Sequence, residues 1–178
     1  MKGDSTEMAA VLRARLLDDP LWDFALALYA RPGVEAACLA LQDEAGVDVC
    51  ELLWRCWLLH HGARPGPSAE AGLAAVRCWQ AEVTVPLRAL RRRLKPEAAT
   101  HSGIASLREA LKHAELEAER ETLGRLEALA LEASPTALSP FHEGAEKALV
   151  NALKLQKKRD ISTLQPLTRL LDPPPEPD

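Results

Sequence analysis

Residues that favour β-strands are scarce in this chain, and that scarcity is the first guide to its fold. Only seven of 178 residues are aromatic, four of them Trp, and Val and Ile are few beside Ala and Leu. Strands draw on β-branched and aromatic side chains, whereas Ala and Leu favour helix. The four cysteines, Cys38, Cys50, Cys56 and Cys78, form no Cys-x-x-Cys pair, which argues against zinc-ribbon and thioredoxin-like redox chemistry. Excess basic charge is also missing. The 22 Lys and Arg stand against 26 Asp and Glu, for a net charge of -4 and a pI near 5.8, so nucleic acid is not an expected partner.

No apolar run approaches the roughly 20 residues that cross a bilayer, since Leu52–His61 is interrupted by Arg55 and the histidine pair. The N-terminus, Met1 to Glu7, lacks the basic-then-apolar layout of a signal peptide. Cytoplasmic localisation with reduced thiols is therefore expected. Gly-x-Ser-x-Gly, Gly-rich phosphate loops and aspartate-rich metal–diphosphate motifs are all absent. The composition assigns no catalytic residue, no metal ligand and no cofactor.

What is present is ordinary for a globular domain: 47% hydrophobic and 27% charged residues over 178 positions. That length provides one domain with a substantial core. The pattern predicts an all-α fold, a single compact bundle-like domain of about six or seven helices with no β-sheet. Residues 1–133 form the expected helical core. Residues 134–160 read as a linker plus an amphipathic helix packed on it, and residues 161–178 as a largely disordered Pro-rich tail with room for a short amphipathic turn at Leu164 to Leu171.

Within the core, a first helix covers about Thr6 to Leu17 and stops at Asp18-Asp19-Pro20. The second, Leu21 to Tyr29, is apolar almost all round, with Trp22, Leu26 and Tyr29 along one side, and belongs in the middle of the domain. A third, Val34 to Ala45, ends at Gly46, and Asp48 caps a fourth from Val49 to His61. A long fifth helix is expected from Ser68 to Lys95, kinked or broken near Thr84–Pro86 because proline removes a donor there. The sixth spans about Ile104 to Ala133, with Leu107, Leu111, Ala118, Thr122 and Leu129 as its buried stripe. Ser139 and Pro140 then open a last helix to about Lys158.

Several stretches resemble a known family. They are Leu21 to Val34, Cys38 to Asp43, Asp48 and Val49 with Trp57, Trp79 with Gln80, Pro86 to Arg88, and Glu115 to Glu119. Over about residues 20–130 the chain resembles an uncharacterised proteobacterial family, domain of unknown function family 2390. The resemblance implies a cytosolic bacterial protein and adds no activity and no catalytic residue.

The chemistry-bearing pattern is a cationic rail on one helix and an acidic run on the next. Arg88, Arg91, Arg92 and Lys95 share a stripe opposite Leu87, Leu90 and Leu94. Glu115 lies at the edge of the next helix's apolar stripe and Glu119 just outside it. Carboxylates bordering a core call for cations, and long helices joined by a short loop pack antiparallel. The simplest arrangement pairs Arg88, Arg91 and Arg92 with Glu115 and Glu119. The alternatives are an anion pocket floored by Trp79, since guanidinium forks match carboxylate and phosphate, or an exposed protein-docking face.

Other groupings have plainer readings. Glu109, His113 and Glu117 form a solvated ladder, and Cys56 with His60 and His61 a core thiol beside histidines at a helix end. The four Trp residues read as core, or as the walls of a ligand cavity. The function expected is that of a small cytosolic, non-enzymatic interaction or regulatory protein with a protein partner. The alternative is a small-molecule binding protein or enzyme that takes an anionic ligand where Trp79, Arg88, Arg91, Arg92, Glu115 and Glu119 converge. A membrane-surface role for the lysine-rich last helix comes third.

Overall fold

Each early helix begins and ends where a particular residue stops it. The computed structural model describes residues 3–132, 136–137 and 144–171. Helix α1 covers Gly3–Asp18 and α2 Leu21–Tyr29, with Pro20 at its N-cap. Helix α3 is Val34–Ala45, set at 98° to α2 across Arg31-Pro32-Gly33. It ends at Gly46, whose φ of 67° lets the Val47 N–H turn back to the Leu41 carbonyl at 3.1 Å. Asp48 caps α4, Val49–His60, by accepting from the Glu51 N–H at 2.7 Å, as its position predicts.

The long helix expected from Ser68 to Lys95 is a sequence of segments. Helix α5, Ala69–Trp79, runs into a π-helical turn, Gln80–Thr84, and continues as α6, Val85–Arg93. Pro86 has no N–H to give and its ring crowds the preceding turn, so the backbone widens and the Val85 N–H reaches back to the Gln80 carbonyl. The expected interruption falls where predicted, but as a widened turn. A short α7, Lys95–Ala98, leads to α8, Ser102–Glu132, the longest helix.

Helix α8 buries Glu115, Ala118, Thr122, Leu123, Leu126 and Ala130, one side of the cylinder at three- and four-residue steps. Of the stripe expected from sequence, Ala118 and Thr122 are buried, but Leu107 is exposed and Leu111 and Leu129 are half-buried. Before residue 115, α8 packs chiefly on α6 and α7, which bury no residue of their own, so its N-terminal half lies outside the core. At its other half α5 comes very close. A Cβ on Gly72 would stand 2.4 Å from a Leu129 methyl.

Helix α4 is the centre of the molecule, with Leu52, Trp54, Cys56, Trp57 and Leu58 fully buried. The Trp57 Nε1–H donates to the Asp19 carbonyl at 2.8 Å, and His61 Nε2 meets Asp19 Oδ2 at 3.0 Å, tying the end of α4 to the α1–α2 link. Strand structure among the described residues is one antiparallel ladder, β1 Ala63–Arg64 with β2 Thr136–Ala137. The fold is all-α.

The C-terminal third differs from the expected secondary structure. The last helix, expected to reach Lys158, ends at Leu153 as α9, Ala145–Leu153, where Lys154 adopts a φ of 55°. Residues 158–171, placed mostly in a tail by their proline-rich neighbourhood, form α10, Lys158–Thr163, and α11, Gln165–Leu171. Leu164 and Leu167 are fully buried in the same core as α3 and α4. Apolar residues at 161, 164, 167 and 171 give these short helices one buried face. The expected cap at Ser139 and Pro140, and the segment from Asp172 onward, lie outside the described residues.

Leu164→Ala should cost about 2–4 kcal/mol in urea unfolding, the usual result of emptying a fully packed leucine site. A change below about 0.5 kcal/mol would mean that α10 and α11 are dispensable to the core.

Candidate functional site

Glu115 is a carboxylate on the buried stripe of α8, and the structure gives it two arginines from α6. Arg88 Nε donates to Oε1 at 2.7 Å and Arg91 Nε to Oε2 at 2.5 Å. Arg88 uses a second nitrogen on Glu119 Oε1, at 2.7 Å, so its fork spans one turn of α8. Because Arg88 reaches Glu119 and Arg91 meets Glu115, α6 and α8 run antiparallel. This is the seam expected for Arg88, Arg91, Glu115 and Glu119. Arg92 departs from it: its guanidinium crosses to Asp43 on α3, at 2.9 Å, where both side chains are about half exposed.

The carboxyls respond differently to this setting. Burial alone pushes Glu115 up, but the hydrogen bonds from Arg91 and Arg88 outweigh it and hold the group below the ordinary carboxylate range. Glu119 is raised, because burial and the neighbouring Glu115 and Asp48 charges exceed what Arg88 alone returns. Asp48 is raised by burial, against the bond from the Glu51 N–H. The π-helical turn supplies its other partner, for Gln80 Nε2 donates to Asp48 Oδ2. A second seam lies behind it. Glu51 is buried and takes Arg55 at 2.7 Å and Arg77 at 2.9 Å, so the polar strip of α4 is satisfied internally.

These groups surround a cleft of about 420 Å³ between α2, α3, α4, α6 and α8. Arg88, Arg91, Glu115, Glu119, Asp48 and Gln80 supply its polar lining. Its apolar walls include Trp22, Leu53 and Leu123, and Leu26, Leu39 and Leu116 stand exposed on α2, α3 and α8. Tyr29 also lines it, its phenol pushed up to about 12 by burial and by the nearby Cys38, Glu35 and Glu119. The volume falls in the range of small-ligand sites.

Of the six residues expected to converge, Arg88, Arg91, Arg92, Glu115 and Glu119 line this cleft. Trp79 does not. Its ring lies under the Arg125 guanidinium at 4.0 Å, and its buried Nε1 has no partner among the described residues. Trp22 takes the position expected of Trp79, and Arg120 sits over its ring at 5.0 Å. The sequence reading also missed Tyr29, Glu35, Asp48, Gln80 and Lys112. Lys112 was legible in principle, one helical turn before Glu115. The Trp22, Leu26 and Tyr29 stripe reads as core from the sequence alone. The pairing of Asp48 with Gln80, 32 residues apart, carries no local signal.

Glu109, His113 and Glu117 are exposed on α8. Cys56 is fully buried and its thiol is pushed far up by burial, while His60 is exposed beside Phe24 at 5.3 Å.

Residues 20–126 match a family described as "Protein of unknown function (DUF2390)". The chain belongs to this family. No curated protein and no solved structure matches it. Every residue of the cleft, from Trp22 to Leu123, lies inside the matched segment, so the family's region contains the cleft whole. Helix α1 and the C-terminal helices pack around it from outside that segment.

Arg88→Ala should destabilise the fold by about 2–3 kcal/mol, because it strands a buried carboxylate, whereas Arg92→Ala should stay within about 0.5 kcal/mol. Equal effects in urea unfolding would mean that the seam carries no special share of stability.

The pH profile separates the two glutamates. Glu115 ionises more readily folded than unfolded, so its contribution is complete above the ordinary carboxylate range and is lost as pH falls below it. Glu119 has the opposite sign: the folded chain takes its proton first, so stability is gained as pH falls toward that range. Between neutral pH and about pH 3, Glu115→Gln should remove part of the acid-side loss, and Glu119→Gln should steepen it. Parallel urea midpoints for both variants and the parent chain would contradict this assignment.

Proposed function

We propose that the protein is a non-enzymatic, cytosolic binding protein that holds a small, partly apolar ligand in the cleft between α2, α3, α6 and α8. One observation carries this reading. A cavity of about 420 Å³ with apolar walls has a polar floor already fixed by its own hydrogen bonds. Such a floor costs little to organise when a ligand arrives, and the walls supply the favourable burial. Supporting it, Tyr29, Asp48, Cys50, Arg88, Arg91, Glu115 and Glu119 all have displaced protonation equilibria and all line the one cleft.

A binding role is favoured over catalysis because the reactive groups are engaged or suppressed. Glu115 is held ionised by two arginines, and burial keeps the Cys50 thiol protonated. Reduced thiols support the cytosol: Cys38, Cys50, Cys56 and Cys78 are all free, the first three of them buried. No helix among the described residues is long and apolar enough to cross a membrane.

A second reading, docking of a protein partner, is favoured by Leu26, Leu39 and Leu116, which are 52%, 43% and 49% exposed. The two readings separate by the size of what binds. The uncharged fluorescent dye phenylnaphthylamine should bind the full chain, and Leu26→Asp should weaken it about tenfold or more with no loss of thermal stability. Dye binding that is absent, or indifferent to Leu26→Asp, would sink the small-ligand reading.

A further inference from the structure

The charged groups of the cleft are not equally occupied. Arg88, Arg91, Glu115 and Glu119 hold one another, and Arg92 holds Asp43. Two charged side chains that line the cleft, both exposed, have no hydrogen-bond or ion-pair partner among the described residues. They are Glu35 on the first turn of α3 and Lys112 on α8.

Helix geometry puts these two groups at opposite ends. Glu35, Leu39 and Gln42 form the face of α3 on the cleft, and at 1.5 Å rise per residue they span about 10 Å. Asp43, just past Gln42, takes Arg92. The antiparallel register of α6 and α8 sets Arg92 level with Lys112, one turn before Glu115. Lys112 therefore belongs to the Arg92 end. Glu35 marks the other, close enough to Tyr29 to raise its phenol.

The charge at the Arg92 end does not balance. Arg91, Arg92 and Lys112 face Glu115 and Asp43, leaving one positive charge over, while further along Arg88 faces Glu119 and Asp48, and Glu35 adds to the negative excess. Between the two ends stand Leu26, Leu39 and Leu116. A fatty acid would leave Glu35 unmatched, and an organic amine would leave Lys112. A partner's helix, about 10–12 Å thick with its side chains, is too bulky for a cleft of about 420 Å³.

We propose that the cleft binds a short apolar peptide with free termini, its ammonium on Glu35 and its terminal carboxylate on Lys112 beside Arg92. An extended chain advances about 3.3–3.6 Å per residue, so a span of about 10 Å takes about three residues. The leucines receive the peptide's side chains. This inference rests on the cleft being a ligand site.

Isothermal titration with trileucine, its N-acetyl form, its C-terminal amide and decanoate tests it. The proteins are the full chain and the variants Glu35→Gln and Lys112→Gln, which remove charges that no hydrogen bond or ion pair among the described residues engages. Free trileucine should bind best. Acetylation should weaken it about fivefold in the full chain and make no difference in Glu35→Gln; amidation should do the same with respect to Lys112→Gln. Equal binding of the three peptides, or peptide binding that neither variant alters, overturns the proposal. Decanoate binding where trileucine does not overturns the peptide while leaving the cleft a ligand site. Failure of trileucine, decanoate and the uncharged dye alike overturns both.

Discussion

A carboxylate on the buried stripe of a long helix is costly unless cations come with it, and Glu115 on α8 depends on Arg88 and Arg91 for that reason. The requirement fixes where α6 must lie. Helix α6 has no buried residue of its own, so apolar packing alone does not set its position. The arginine pair does, and Arg88 adds direction by gripping Glu119 one turn further on. The antiparallel hairpin of α6 and α8 is thus assembled as much by charge as by burial.

The cleft follows from the same constraint. Pro86 forces a widened turn just before α6, and that turn sets Gln80 against the Asp48 that caps α4. Arg92 then reaches back to Asp43 on α3. Helix α6 is consequently pinned to α3 and α8 together, while Gln80 just upstream is pinned to the start of α4. The space these attachments bound, against α2, is the cleft. Its polar floor is complete without a ligand, and the groups left over, Glu35 and Lys112, are the exposed ones on its lining.

How much of this was legible in the sequence depends on the range of each interaction. The all-α class, the buried α4, the Asp48 cap and the pairing of Arg88 and Arg91 with Glu115 and Glu119 follow from periodicity within one or two helices. Arg92 was misassigned because it shares the rail of Arg88 and Arg91, yet its partner sits on α3, 49 residues away. Trp79 was misassigned because Arg125, from a distant turn of α8, covers its ring. The apolar pattern from Leu164 to Leu171 is long enough to suggest a short amphipathic turn but too short to show that Leu164 and Leu167 join the core. Leu26, read as core from the apolar look of α2, is exposed because the neighbouring helices stand apart there, which no local pattern records.

The central claim is that Arg88 and Glu115 act as one unit that positions α6 on α8. A double-mutant cycle with Arg88→Met and Glu115→Met, read by urea unfolding, tests it most directly. The account predicts strong non-additivity: each single variant destabilises, and the double variant is more stable than their sum by about 1 kcal/mol or more. Additivity within about 0.3 kcal/mol would contradict it, because the two residues would then contribute independently and something else would hold the hairpin and its cleft.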